Sequence, residues 1–420
     1  MANFIGGTPG APRSDDSISG TSGDDVIFGD RFTTGNSWGA PEVGGVLSSG
    51  QAGDDRLYGK DGNDVIVGDA AFISGSGRGG DDTCYGGNGN DVLIGDADLT
   101  MSENARGGND TLYGGGGDNI LVGDANVLTD DARGGDDKLY VDFSFAVDFG
   151  AGRIFGDADF GITGNARGGN DRIYGSWGDD YLIGDGGELS QDSRGGNDSI
   201  YGGRGNDAIQ GDSSVRLLDN ARGGNDAIYG GSGDDDLFGD GWLQDTARGG
   251  NDRIYGGDDS DFIWGDDFFI GDEARAGNDT VEGGAGDDLL FGDGSGVGGR
   301  ARCGNDVLVG GGGNDVLSGD LDREWSDDVT FVTRGSDRFV FANNNGIDTI
   351  IDFDNGKDRI VLTAYTGIDN FAEVRAKAAQ VGQDVVIDLG AASGSDAGLN
   401  TVTLLGFRLS RLDASDFVFS

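Results

Sequence analysis

A repeated unit of about 27 residues dominates this chain. It reads A-R-G-G-N-D-x-(Ile/Leu)-Tyr, followed at once by G-G-x-G-x-D-x-(Ile/Leu)-x-G-D. The arginine that opens each copy marks the register, at Arg78, Arg106, Arg133, Arg167, Arg194, Arg222, Arg248, Arg275 and Arg302. Self-similarity at such a period is typical of a solenoid, in which each repeat buries its apolar face only against its neighbours. The pattern therefore predicts an all-β fold, a parallel β-roll or β-helix, and not a single enzyme-like core.

Each copy contains two nonapeptides of the form G-G-x-G-x-D-x-U-x, where U is a large apolar residue. Residues 86–94 (GGNGNDVLI) and 283–291 (GGAGDDLLF) are good examples. The glycine-rich part turns sharply because glycine accepts positive φ, and the last three residues alternate outward, inward and outward as a short strand. The inward U residue then supplies the core, and the aspartate at the sixth position faces the stacked turn of the next coil.

These stacked aspartates need a cation. Adjacent coils lie about 4.8 Å apart, so facing carboxylates repel by roughly 3 to 4 kcal/mol per pair at an effective dielectric near 20. The available ligands are carboxylates and backbone carbonyls, with no histidine in the chain and no row of thiolates. Such an oxygen-only set favours Ca²⁺ over Mg²⁺ or Zn²⁺, although lanthanides would fit the same ligands.

The predicted calcium ligands form two rows. The G-G-x-G-x-D turns supply Asp25, Asp64, Asp91, Asp180, Asp207, Asp235, Asp261, Asp288 and Asp315. The A-R-G-G-N-D turns supply Asp55, Asp82, Asp110, Asp137, Asp171, Asp198, Asp226, Asp252, Asp279 and Asp306. Asn119 replaces the aspartate in one turn and should weaken that site. A third row, the Gly-Asp row, closes each copy and has two interpretations: calcium ligands, or turn residues bonded to backbone amides or to the arginine row.

These motifs resemble the RTX family, the secreted calcium-binding repeat proteins of Gram-negative bacteria, over roughly residues 15 to 334. Residues 335–420 look like the C-terminal domain of serralysin-type proteins, a small β-rich cap. The last five residues, DFVFS, are similar to an uncleaved type I secretion signal, and residues 1–14 remain as a leader. The resemblance implies many bound calcium ions, passage through the type I secretion machinery, and folding outside the cell or at its surface.

Composition points the same way. A net charge of −47 makes the ion-free chain repel itself, and 87 glycines raise the entropic cost of ordering it. Because only 35% of the residues are hydrophobic, we expect folding to be coupled to metal binding. The charge excludes a basic nucleic-acid surface and ordinary attraction to anionic lipid. We find neither an N-terminal export signal nor an apolar run of membrane-spanning length.

Several enzyme classes lack their essential residues. Without histidine, the chain has no H-E-x-x-H zinc motif and no base for a serine nucleophile. A glycan-active enzyme built on carboxylates alone remains formally possible, but each candidate aspartate belongs to a repeated turn. We therefore expect a non-catalytic protein that self-associates in a surface layer, matrix or filament. The alternative is a soluble secreted effector that acts on a partner cell or membrane.

Some of the geometry stays open at this stage. One repeat forms either a single three-sided coil with like motifs stacked or one and a half two-sided coils; the in-phase rows favour the former. Irregular segments are expected near residues 31–50 and 141–157. A tyrosine that recurs after the inward residue should form an outward ladder, at Tyr58, Tyr85, Tyr113, Tyr140, Tyr174, Tyr201, Tyr229 and Tyr255.

The two cysteines do not indicate a disulfide framework. Cys84 replaces an inward leucine and should be a buried thiol. Cys303 replaces a turn glycine and should be more exposed, which would let it link two molecules.

Overall fold

The computed structural model describes residues 3–6, 15–30, 45–141, 152–320, 332–342, 345–363, 365, 368–391 and 399–420. The chain forms two compact units, Met1–Ala227 and Ile228–Ser420. Irregular segments were expected near residues 31–50 and 141–157. Of these, residues 31–44 and 142–151 lie outside the described residues. The flanking residues form the strands Val46–Gln51 and Arg153–Phe155.

Each repeat of the first unit crosses three parallel sheets. The aliphatic sheet follows the G-G-x-G-x-D turns and contains Asn3–Gly6, Asp25–Phe28, Val65–Val67, Val92–Ile94, Ile120–Val122, Arg153–Phe155, Tyr181–Ile183 and Ala208–Gln210. The tyrosine sheet follows the A-R-G-G-N-D turns and contains Ser17–Ser19, Arg56–Asp61, Thr83–Asn88, Thr111–Gly116, Lys138–Tyr140, Arg172–Tyr174 and Ser199–Arg204. The third sheet follows the Gly-Asp row and contains Val46–Gln51, Ala70–Arg78, Ala97–Met101, Ala125–Leu128, Ala158–Ile162, Gly186–Leu189 and Ser213–Leu217.

The pairing register stacks each motif on the equivalent motif of the neighbouring repeat. In the tyrosine sheet Leu112 pairs with Cys84 on one side and with Leu139 on the other, always in parallel. In the aliphatic sheet Leu121 pairs in the same way with Leu93 and Ile154. One repeat therefore makes one three-sided coil, which settles the open choice and confirms the predicted parallel solenoid.

The second unit repeats this plan and adds a different end. Its aliphatic sheet contains Asp236–Phe238, Phe262–Trp264, Leu289–Phe291, Val316–Ser318, Ile347–Ile350 and Leu399–Leu404, extended in antiparallel by Asp384–Ala391 and Ala378–Val381. The tyrosine sheet contains Ala227–Ser232, Arg253–Asp258, Thr280–Ala285, Val307–Gly312, Arg338–Phe341, Arg359–Leu362 and Phe417–Phe419. The third sheet contains Trp242–Leu243, Phe269–Ile270 and Gly296–Val297.

Among the described residues, helical structure occurs only near the end of the second unit. One α-helix, Phe371–Lys377, begins at Asn370, whose side chain accepts the backbone N–H of Glu373. Two 3₁₀ turns follow at Leu409–Arg411 and Ala414–Asp416. Among the residues that the structure describes, we find no helix long and apolar enough to cross a membrane.

Strands beyond residue 335 extend the sheets of the repeats. Leu308 pairs with Phe339, Phe339 with Ile360, and Ile360 with Phe417, all in parallel. The tyrosine sheet of the second unit thus runs from the repeats into the segment predicted to be a C-terminal domain. The division at residue 335 remains a prediction.

The core consists of columns of apolar side chains, one column from each sheet. In one coil of the first unit the three contributors are Leu112, Leu121 and Leu128, all fully buried. Cys84 occupies the leucine position of the tyrosine sheet and is also fully buried, as predicted. A coil this narrow has no wider interior, so its apolar stabilisation is limited to a few side chains per repeat.

Glycine at the turns is required by close backbone approach. Gly87 and Gly89 have φ values of 117° and 130°, in the left-handed region. A Cβ on either residue would overlap the carbonyl oxygen of the preceding coil, that of Lys60 or Gly62 respectively. Each carbonyl oxygen at this corner therefore faces the glycine of the next coil.

Replacing a core leucine tests the column packing. We expect Leu121→Ala to lower the free energy of unfolding by about 2 to 5 kcal/mol, because the two neighbouring coils cannot collapse into the cavity. Leu405→Ala is the matched control, since Leu405 is 49% exposed, and should change stability by no more than about 0.5 kcal/mol. Urea unfolding in saturating calcium measures both; equal losses would contradict the assigned core.

Candidate metal centre

The predicted calcium ligands all lie inside the coils. Every aspartate named for the two turn rows is at most 3% exposed. The chain brings them together by stacking each turn on its own copy, so that each row runs along its unit as a file of carboxylates. Carboxylates are rarely buried without a compensating partner.

One oxygen of most of these carboxylates accepts a backbone N–H of the preceding coil. In the G-G-x-G-x-D row, Asp64 N–H donates to Asp91 Oδ1 at 2.8 Å. In the A-R-G-G-N-D row, Asp82 N–H donates to Asp110 Oδ1 at 2.7 Å. The arrangement repeats in the second unit, where Asp279 N–H donates to Asp306 Oδ1 at 2.8 Å. These bonds fix each carboxylate and aim its second oxygen in one direction.

The second oxygen, Oδ2, is buried without a hydrogen-bond partner in most of these turns. This holds for Asp55, Asp64, Asp82, Asp91, Asp110, Asp137, Asp171, Asp198, Asp261, Asp279, Asp288, Asp306 and Asp315. A charged acceptor left buried and unpaired costs several kcal/mol. Each row therefore places a buried carboxylate oxygen without a partner at the same position in successive coils, where a cation would stabilise it.

Backbone carbonyls converge on the same places. A Cβ built on Gly86 would overlap both Asp91 Oδ2 and the carbonyl oxygen of Gly114. A Cβ on Gly95 would overlap Asp110 Oδ2 and the carbonyl oxygen of Gly123 in the same way. The first place offers hard oxygen ligands from two coils and the second from one coil. Both fit Ca²⁺, which accepts irregular sets of carboxylate and carbonyl oxygens.

Asn119 shows what a positive partner does at this place. Its Oδ1 accepts the N–H of Asp91 at 2.9 Å, as the aspartates do. Its Nδ2 donates to the carbonyl oxygens of Gly115 and Gly117, both at 3.2 Å. In this coil the amide N–H₂ group donates hydrogen bonds to the carbonyl oxygens. This supports the interpretation that a cation binds the carbonyl oxygens in the coils that have an aspartate here.

Two aspartates of the first row depart from the pattern. Asp25 Oδ2 accepts the N–H of Thr21 at 2.5 Å, and Asp180 Oδ2 accepts that of Ser176 at 2.6 Å. The oxygen that has no hydrogen-bond partner in most other turns is here already bonded to the protein, so these two places fit an ion less well. Asp207, Asp226, Asp235 and Asp252 keep the common register and hydrogen-bond to the adjacent aspartate of their own row.

The Gly-Asp row forms a third file of buried carboxylates. Asp69 and Asp185 are fully buried and accept the N–H of Gly80 and Gly196 at 3.0 and 2.8 Å. Arg78, which opens the neighbouring repeat, is exposed and does not accompany them into the interior. As turn residues, these aspartates were expected to bond either to backbone amides or to the arginine row. The structure shows the bond to a backbone amide. Consecutive members lie close, because a Cβ on Gly195 would overlap oxygens of both Asp185 and Asp212.

The carboxylate rows continue past the last predicted ligand. Asp306 N–H donates to Asp337 Oδ1 at 2.9 Å, and Asp337 N–H donates to Asp358 Oδ1 at 3.1 Å. Asp315 N–H donates to Asp348 Oδ1 at 3.1 Å. The sequence signal for Asp337 is R-G-S-D at 334–337, a variant of the arginine turn. Around Asp348 the only part of the motif that remains is an apolar residue followed by Asp. This pattern is too common in proteins to predict a ligand.

Burial raises the pKa of these carboxyl groups. It lifts the pKa of Asp91 to about 6, of Asp55 and Asp315 to about 7, and of Asp261 to about 8, with neighbouring aspartates adding to the effect. Burial first, then the charge of Asp137, holds the pKa of Asp110 well above its usual range. The ion-free rows thus favour the protonated form.

The comparisons with known proteins agree with this geometry. The model of the RTX calcium-binding nonapeptide repeat matches residues 13–32, 49–71, 76–98, 104–126, 163–188, 193–214, 220–241, 246–269, 273–295 and 304–323. No curated protein matches the chain.

Among solved structures, the extracellular lipase LipA from Serratia marcescens shares 16% identity over 71% of this chain and 45% of the lipase, with a TM-score of 0.25. The match thus spans less than half of the lipase. The AlgE6R3 subunit of the Azotobacter vinelandii mannuronan C5-epimerase shares 25% identity over 40% of this chain and 77% of that subunit, with a TM-score of 0.18. At these TM-scores neither likeness bears on function.

The raised pKa values predict an unusual pH dependence for ion-free protein. Folded-state pKa values of about 6 to 8 exceed the usual 3.8, so their contribution to stability is complete below pH 3.8 and is lost as the pH rises through 6 to 8. In chelator, circular dichroism should show more folded protein at pH 5 than at pH 8.5. Millimolar calcium should restore folding at pH 8.5. Greater loss of structure at pH 5 would contradict the assignment.

Restoring the missing carboxylate should create a site. We expect Asn119→Asp to bind one more calcium ion per chain and to destabilise the ion-free protein by about 1 to 3 kcal/mol, since it buries an unpaired oxygen. Asn109→Asp adds the same charge at an exposed turn position and serves as the control. Metal analysis after gel filtration counts the ions. An equal gain in both variants would mean that added charge alone attracts calcium.

Proposed function

The chain belongs to the RTX calcium-binding nonapeptide repeat proteins, and from this premise we propose a secreted, non-catalytic architectural protein that folds when calcium binds outside the cell. Its place would be a surface layer, a matrix or a filament. The observation that carries the proposal is the set of buried carboxylate files, in which most turns leave one oxygen without a partner.

We propose that the two turn rows hold the calcium ions. Each ion would take Oδ2 of a turn aspartate, such as Asp91 or Asp110, together with the backbone carbonyl oxygen beside it, that of Gly114 or Gly123. The Asn119 coil supports this, because an amide donor there bonds to the carbonyls that the ion would otherwise bind.

Calcium-coupled folding follows from electrostatics. The chain carries a net charge of −47, and the turn carboxylates are concentrated in its interior. Without cations, the rows are either protonated or mutually repelling, and the few apolar side chains of each coil offset little of that cost. The free energy of calcium binding then contributes directly to the free energy of folding. A chain with this property passes an export channel unfolded where calcium is scarce and folds where it is abundant.

Residues 335–420 would carry the export signal in this scheme. They hold the helix Phe371–Lys377 and end in the strand Phe417–Phe419, the last strand of the tyrosine sheet. The terminal residues resemble a type I secretion signal, which supports the type I secretion machinery as a partner. The repeats at 15–334 would then be the calcium-binding solenoid, preceded by a leader at 1–14.

A non-catalytic role is supported by the repetition itself. The buried turn carboxylates recur in equivalent positions with the same backbone partners, as Asp64 with Asp91 and Asp261 with Asp288. Catalytic carboxylate pairs instead place two groups in different environments so that their pKa values separate. Equivalence between coils is a property of a scaffold.

An exposed apolar row supports self-association. On the third sheet of the first unit, Phe72, Leu99, Phe160 and Val215 are 40%, 41%, 68% and 50% exposed. Phe72 and Leu99 lie on adjacent strands of this sheet. One strand without an exposed apolar residue separates Leu99 from Phe160, and another separates Phe160 from Val215. Exposed apolar side chains gathered on one face are typical of interaction surfaces.

Unlike the exposed apolar residues of the third sheet, the tyrosine ladder has a structural role. Consecutive rings from Tyr58 to Tyr201 stack 4.8 to 5.1 Å apart and nearly parallel. The predicted outward ladder is thus confirmed. Because each ring face is covered by the next ring, the ladder stabilises its sheet and offers mainly ring edges to a partner.

Sedimentation velocity tests the architectural role. We expect chelator-stripped protein to compact when millimolar calcium is added and then to form large species that chelator reverses. Phe160→Ser combined with Phe72→Ser should compact normally and assemble less. Phe262→Ser is the control, since Phe262 is 45% exposed on a different sheet of the other unit.

Each other outcome has a defined meaning. A compact monomer at every calcium concentration would favour the soluble effector. No compaction would contradict calcium-coupled folding. Equal loss of assembly in the control would show that the third sheet is not the contact surface.

A further inference from the structure

Cys303 interrupts a row of small residues. It follows Arg302, whose backbone pairs with Arg275 in the preceding coil. The equivalent residue is Ala276 in that coil and glycine in the earlier copies, for example Gly168, Gly195 and Gly249. Cys303 is thus the only residue at this register, among the copies from Arg78 to Arg302, whose side chain carries a metal-binding atom.

This register abuts the Gly-Asp row. A Cβ on Gly168 would overlap Asp185 Oδ1 and Asp157 Oδ2, and one on Gly195 would overlap Asp212 Oδ1 and Asp185 Oδ2. In each of these coils the glycine therefore sits where two consecutive carboxylates of the row meet. A larger side chain at the register must enter the gap between them.

The thiol of Cys303 occupies that gap in its own coil. Its Sγ and one carboxylate oxygen each from Asp293 and Asp320 lie within 4.8 Å of one another. Asp293 is fully buried, Asp320 is 1% exposed, and each has an Oδ2 atom without a hydrogen-bond partner. The other oxygens are held in place, since Asp293 Oδ1 accepts Gly304 N–H at 2.6 Å and Asp320 Oδ1 accepts Gly335 N–H.

We propose that Cys303, Asp293 and Asp320 form a binding site for a divalent transition-metal ion of the Zn²⁺ class, distinct from the calcium places in the turns. The donor set is one thiolate sulfur and two carboxylate oxygens. Zn²⁺ and Co²⁺ accept this mixture, whereas Ca²⁺ takes oxygen ligands only. Three protein ligands leave a coordination position for water.

The carboxylates of Asp293 and Asp320 place negative charge and hydrogen-bond acceptors beside the thiol. Burial, followed by the charges of Asp293 and Asp320, raises the pKa of the Cys303 thiol well above its usual range. Burial also raises the pKa of Asp320 to about 6, with Asp352 adding to the rise and Arg334 opposing it. A metal ion would displace the thiol proton and neutralise the carboxylates at once. Arg334 offsets only part of this negative charge.

Cobalt absorption reads this site directly. The calcium-loaded full chain is titrated with Co²⁺, and we expect a thiolate-to-cobalt charge-transfer band that saturates at one equivalent. Zn²⁺ should displace it, and millimolar calcium should not. Cys303→Ala should lose the band while still folding, because Ala276 occupies the same register. Asp293→Asn should weaken cobalt binding by more than about tenfold.

Cys84→Ala is the matched control. Cys84 is fully buried in the core column between Leu57 and Leu112, and its loss should leave the band unchanged. Absence of the band in the calcium-loaded protein, its survival in Cys303→Ala, or its removal by millimolar calcium would each overturn the proposal. Circular dichroism in calcium confirms that each variant is folded, and none of these outcomes bears on calcium-coupled folding.

Discussion

Repulsion between stacked carboxylates, and its neutralisation by cations, is the constraint on which this structure depends. A parallel solenoid places each residue beside its copy in the next coil, so an aspartate in the repeat becomes a file of aspartates. A carboxylate file is costly unless each member has a hydrogen-bond donor and a cation. The backbone N–H of the preceding aspartate supplies the donor, as in Asp64 with Asp91. Asn119 supplies its own donor for the carbonyl oxygens of Gly115 and Gly117.

Much of this could be predicted from the sequence because the repeat is nearly exact. The period, the inward apolar residues and the turn aspartates all follow from stacking like on like. The structure confirms the parallel solenoid, the tyrosine ladder and the buried Cys84 thiol. That the coil has three sides was only favoured by the sequence, because a chain pattern fixes which motifs recur but not how far the backbone bends between them.

Other features depend on distances between coils, which a linear pattern does not contain. The sequence left the Gly-Asp row open among calcium ligation, backbone partners and arginine partners. Only the coil geometry shows that Asp69 is buried while Arg78 is exposed. Asp348 continues a carboxylate file with almost none of the motif around it. The gap filled by Cys303 also becomes visible only when Asp293 and Asp320, from two coils, are seen on either side of it.

Sharing ligands between coils also makes the sites interdependent within a unit. Each turn aspartate is bonded to the adjacent aspartate of its own row, and its Oδ2 lies beside a carbonyl of the adjoining coil, as Asp91 beside Gly114. In the proposed sites, an ion at one place would therefore order ligands of the next place. Stability would then be the sum of a term for each coil and a term for each pair of neighbouring coils. Calcium binding should then be cooperative along a unit. The coil of Asn119 needs no ion at that corner, so order can pass through it at lower calcium concentration than through its neighbours.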